Sequence, residues 1–79
     1  MIEYKDWPPP EDWTSVKLSW DWVMQHHTHN TNDIYNWVIR APGGRFHISG
    51  YNVGKPGEGF DYRFERPADA TYFSLNLPR

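Results

Sequence analysis

Phe60-Asp61-Tyr62-Arg63-Phe64-Glu65 followed by Pro67-Ala68-Asp69-Ala70-Thr71-Tyr72-Phe73 is the stretch whose reading decides the fold. The first half alternates apolar and polar residues, the period of a half-buried strand. The second half opens on a proline, which suits the first position of a helix, and places Asp69 in the first turn. Ala70, Phe73 and Leu77 then form a short apolar stripe. A strand reading of residues 67–77 competes, because Thr71, Phe73, Leu75 and Leu77 also fit period two. The helix from Pro67 to about Leu75 is preferred, with the chain extended beyond it and Pro78 ending either form.

Upstream, Asn52-Val53-Gly54-Lys55-Pro56-Gly57-Glu58-Gly59 is a glycine-rich turn. Before it, Phe46, Ile48 and Gly50 alternate with His47, Ser49 and Tyr51. These two strands flank one loop and are expected to pair as an antiparallel hairpin. Further back, Ile34, Trp37, Val38 and Ala41 share one helical face. Thr31 or Asn32 can cap that helix and Asp33 complements its dipole. Pro42 and Gly43-Gly44 stop it, which predicts a helix over 33–41. Met24 to Asn32 reads as a polar loop.

Val16 to Val23 is the first strand in this reading: Val16, Leu18, Trp20 and Trp22 face one way, Lys17, Ser19 and Asp21 the other. A helix competes there, with Trp13, Val16, Trp20 and Val23 near helical spacing. The resulting order is β-α-β-β-α. It describes an α+β domain: a small antiparallel sheet with one or two short helices on one face, a truncated ferredoxin-like unit. Residues 1–79 form a single domain, with residues 1–13 a proline-rich arm and 14–79 the α+β body. The arm contains Pro8-Pro9-Pro10, which favours an extended polyproline conformation, and Trp7 and Trp13 on either side could clip it onto the body.

The chain has 79 residues, no cysteine, and five Trp, five Tyr and four Phe, more aromatics than Val, Ile and Leu together. So small a chain can spare few rings for its surface. Trp20, Trp22, Trp37, Phe46, Phe60, Tyr62, Phe64 and Phe73 fall on the inward faces; Trp7, Trp13, Tyr35, Tyr51 and Tyr72 do not. Without cysteine there is no disulfide framework. No run approaches the ~20 apolar residues of a membrane span, and the amino terminus lacks the apolar run of a signal peptide. A soluble, cytoplasmic protein without membrane contact is expected.

His26, His27 and His29 are weak metal candidates, with Asp33 a conceivable fourth ligand. Three ligands so close in one loop rarely converge, so no metal and no cofactor is expected. Their imidazoles also make a pH response of this loop conceivable. No catalytic motif or phosphate loop is present, and catalysis is not expected. Asp61 and Glu65 read as solvated carboxylates, and Asp21 and His47 could approach across the sheet as a single pair. Lys17, Arg45, Arg63 and Arg66 with sheet aromatics could form a platform for single-stranded nucleic acid. The net charge of −2 opposes that.

Asp33-Ile34-Tyr35-Asn36-Trp37, Gly44-Arg45-Phe46, Phe60 through Glu65 and Ala68 through Leu75 together resemble small uncharacterised proteins of tailed bacteriophages. In those proteins an aromatic strand leads into an acidic, Asp-Ala-containing helix with a Phe and a Leu. The resemblance spans about residues 33–77. It does not extend to the proline arm or the histidine loop, and Pro67 stands where the similar proteins usually carry an acidic residue. It implies a small phage accessory protein that binds a host protein in the host cytoplasm and inhibits or redirects it. The alternatives are a single-stranded nucleic-acid binder and a self-associating virion component, a homo-oligomer. Trp7, Trp13, Arg45, Tyr51, Arg63 and Tyr72 are the candidate partner-binding residues, since Trp, Tyr and Arg are enriched at binding hot spots.

Overall fold

The computed structural model describes residues 1–26 and 32–77. Their elements are β1 (Ile2–Glu3), β2 (Thr14–Ser19), α1 (Trp20–His26), α2 (Asn32–Arg40), β3 (Arg45–Tyr51), β4 (Gly59–Phe64) and α3 (Pro67–Leu75). The fold is α+β, built on a four-stranded sheet in the order β1-β3-β4-β2. β3 and β4 form the expected antiparallel hairpin, and β2 joins β4 antiparallel on its other side. β2, β4 and β3 thus stand in the strand order of the truncated ferredoxin-like unit, with helices between β2 and β3 and after β4.

The register sorts the side chains. Thr14, Phe64 and Phe46 form one row; Val16, Tyr62 and Ile48 the next; Leu18, Phe60 and Gly50 the third. Residues opposite one another in a ladder share a face, and this face is the one the helices cover. Val23 of α1, Ile34 and Val38 of α2, and Ala70 and Phe73 of α3 are buried with Phe46, Tyr62 and Phe64 in one core. Phe73 anchors it, its ring 4.9 Å from that of Tyr62 and 5.1 Å from that of Phe64.

The sheet is mixed rather than purely antiparallel, because β1 lies parallel to β3. The backbone N–H groups of Ile2 and Tyr4 donate to the carbonyls of Gly44 and Phe46, at 3.1 and 2.7 Å. Two residues carry no periodicity, so nothing in the sequence announces this strand. The Met1 ammonium donates to the Val38 and Ile39 carbonyls at the end of α2, at 3.1 and 3.0 Å.

The strand expected over Val16–Val23 ends at Ser19, and α1 begins at Trp20. The Ser19 hydroxyl accepts the Trp22 N–H at 3.1 Å, the bond of an N-cap, and Asp21 stands in the first turn. The competing helix over Trp13, Val16, Trp20 and Val23 is thus realised only from Trp20 onward, Val16 lying in β2 and Trp13 before it. The switch turns Trp20 outward, where it is 41% exposed against Phe60, and Val23 inward. It also makes Met24 to His26 helical instead of loop. His27 and His29 lie outside the described residues.

α2 and α3 follow the sequence reading closely. α3 begins at Pro67, and the Thr71 hydroxyl donates back to the Pro67 carbonyl at 3.3 Å. Asp69 in its first turn accepts the Gly44 N–H at 2.9 Å, tying α3 to the turn before β3. Gly43 in that turn has φ +152°, and a Cβ on it would meet the Asp69 carboxylate at 2.8 Å.

Candidate binding face

The opposite face of the sheet carries Arg45, His47, Ser49 and Tyr51 from β3, Gly59, Asp61 and Arg63 from β4, and Ser15, Lys17 and Ser19 from β2. Among the described residues no helix covers it, and the proline-containing segment between β1 and β2 lies over its Arg45 and His47 end. Trp13 packs edge-on to Tyr4 with ring centroids 5.1 Å apart, and the Arg45 guanidinium lies 5.5 Å from Trp13 and 5.6 Å from Tyr4. Trp13 is therefore only 8% exposed, correcting its placement among the outward rings. An apolar face of β-sheet was not needed to bury it; an arginine stem and a tyrosine ring suffice.

His47 continues this row, 6.4 Å from the Tyr4 ring and 5.6 Å from that of Trp7. It is buried, and among the described residues its Nδ1 has no hydrogen-bond partner. Trp7 leaves the other side of its indole open and is 73% exposed.

Beneath and beside the rings lies a polar cluster. Asp61 is buried rather than solvated: the Ser15 hydroxyl donates to its Oδ1, and Arg63 Nε donates to Oδ2 at 3.1 Å. Arg45 Nε donates to Glu65 Oε2 at 3.1 Å, and this hydrogen bond holds the Glu65 carboxyl below its ordinary pKa. The same bond raises the Arg45 pKa. Both arginines are thus already engaged by carboxylates. Asp21 cannot meet His47, since Asp21 sits on α1 while His47 points to the arm. Among the described residues no hydrogen bond joins Ser15 or Asp61 to His47, so these three do not form a nucleophile–base pair.

Tyr51 lies across β4 at Gly59, where a Cβ would stand 2.8 Å from its hydroxyl and 2.3 Å from the Leu18 carbonyl. The Lys17 ammonium rests 5.5 Å from the centre of the Tyr51 ring.

Five of the six candidate residues, Trp7, Trp13, Arg45, Tyr51 and Arg63, thus share one face. Tyr72 does not join them. It belongs to α3 in the helix layer, stacked on Trp37 at 5.6 Å. Tyr4, Lys17 and His47 complete the face. The alternation of β2 and β3 puts Lys17 and His47 there, but nothing local marks Tyr4 as the ring that joins arm to sheet. The histidine-loop reading falls largely outside the described residues, among which no group of His, Cys, Asp and Glu is placed to hold a metal ion. Among them too, no helix is long and apolar enough to cross a membrane.

No protein-family model, no curated protein and no solved structure matches this chain.

Proposed function

We propose that this chain is a non-catalytic binding protein that docks another protein on its arm-covered sheet face. The observation that carries the reading is Trp7. Its indole rests against the buried His47 ring and leaves its other side 73% exposed on this face, in the position of an interface anchor. Tyr4, Arg45, Tyr51 and Arg63 on the same face supply the composition of a hot spot, and Trp13 of the arm packs on Tyr4 and Arg45 before binding, which lowers the entropy lost on association. Given the resemblance of residues 33–77 to small tailed-phage proteins, the partner is a host protein that the chain inhibits or redirects in the host cytoplasm. The carboxylates on Arg45 and Arg63 weigh against the nucleic-acid alternative, because phosphate binding needs uncommitted cations.

The test is capture from a host lysate with the immobilised chain. The expected result is one stoichiometric protein, bound at least about tenfold more weakly by Trp7→Ala and unchanged by Tyr72→Ala. Capture that survives Trp7→Ala, or an eluate holding only nucleic acid or only the chain itself, rejects the reading.

A further inference from the structure

Among the described residues the outer edge of β2 is open, with β4 its one neighbour in the sheet, and the ladder between them is regular over all six residues, without bulge or proline. The Trp20 N–H donates to the Glu58 carbonyl at 2.9 Å, just beyond the last registered pair, Ser19 with Gly59. In an antiparallel ladder, hydrogen-bonded pairs alternate. Thr14, Val16 and Leu18 therefore exchange backbone bonds with β4, and the N–H and C=O groups of Ser15 and Lys17 point away from the sheet. Such an edge is a template for another strand.

A cleft of about 480 Å³ straddles this edge. On the arm side it is lined by Lys17, Ser19 and Tyr51, on the helix side by Leu18, Trp22 and Leu77, together with Ser74. Lys17 is exposed and stands across the ladder from Asp61, whose carboxylate is taken by Ser15 and Arg63. Among the described residues no carboxylate lies within ion-pair distance of the Lys17 ammonium, which rests over the Tyr51 ring. Successive side chains of an added strand point to opposite faces. One would meet the Lys17 ammonium, and the next would enter the apolar side of the cleft.

We infer that the β2 edge takes up an extended peptide segment of a partner protein, with an acidic residue opposite Lys17 and an apolar residue beside it. The backbone groups of Ser15 and Lys17 supply affinity, and the two-sided cleft supplies sequence preference. The inference rests on the reading that the chain acts by binding protein, and it names the form of the bound segment. A second copy of this chain is a poorer occupant, because an antiparallel pairing centred on Lys17 sets two ammonium groups face to face.

The test titrates the isotope-labelled full chain with the peptide acetyl-Thr-Thr-Val-Glu-Val-Thr-Thr-amide and with its central-Lys counterpart. The Glu peptide is expected to bind roughly tenfold more tightly, with the preference inverted in Lys17→Glu. The amides of Ser15 and Lys17 should exchange with solvent at least about tenfold more slowly in the complex. Equal affinity for the two peptides, an unchanged preference in Lys17→Glu, no protection of those amides, or a β2-paired dimer in light scattering overturns the inference. Peptide binding is expected to persist in Trp7→Ala. Peptide binding without Trp7-dependent capture rejects the face reading alone, and Trp7-dependent capture without peptide binding rejects the edge alone.

Discussion

Tyr62 sits in the middle of the hydrophobic core with its ring on Phe73, and burial pushes its phenol pKa up to about 12 from the ordinary 10.0. The folded chain therefore holds this proton through a range where the unfolded chain releases it. The stability linked to it is fully present below pH 10 and is lost as pH rises from 10 towards 12. Two pKa units correspond to roughly 2–3 kcal/mol. Replacing Tyr62 with Phe removes the ionisable group and keeps the ring. The alkaline unfolding midpoint, followed by circular dichroism, should move to higher pH in Tyr62→Phe, with little change at pH 7. At this scale the sequence was largely readable: Phe46, Tyr62, Phe64 and Phe73 are core residues on period alone. Trp20 and Trp13 were not. Trp20 depends on where a strand hands over to a helix, and Trp13 is buried by Arg45, distant from it in sequence, and by Tyr4 on the other side of the prolines, an approach no local pattern encodes.

The arm is the element whose role the sequence only suggested. Its two tryptophans flank the same prolines, yet one is buried and the other open, so identical substitutions separate packing from binding. Trp13→Ala should cost about 3–5 kcal/mol and loosen the arm, seen as a lower urea midpoint and faster amide exchange around His47. Trp7→Ala should change stability by no more than about 0.5 kcal/mol. Equal losses for the two would mean that Trp7 also holds the arm. The hairpin, α2 and α3 were legible because each carries its own signals: Gly54 to Gly59 between alternating runs, Pro42-Gly43-Gly44 after one stripe, Pro67 before another. β1 and the β2–α1 junction carry none strong enough. A two-residue strand exists only through its partner Gly44–Phe46, and Val16 to Val23 satisfies both periods at once.

For the whole molecule, the two edges of the sheet, β1 and β2, both come from the first nineteen residues, and the central pair β3 and β4 comes from residues 45–64. The amino-terminal segment is a clasp that grips one edge, passes over the face as the arm, and closes on the other edge. Its contacts are almost all distant in sequence, whereas the hairpin is local, so the hairpin is expected to form first and the clasp to close last. A chain organised in this way divides naturally between His26 and Asn32. Fragments made by cutting there should reassemble when mixed, with the longer one forming little cooperative structure alone and regaining it, by circular dichroism and urea melting, once the shorter one is added. The clasp would then serve as a detachable half of a split reporter, with binding to the arm face restored only when both halves meet.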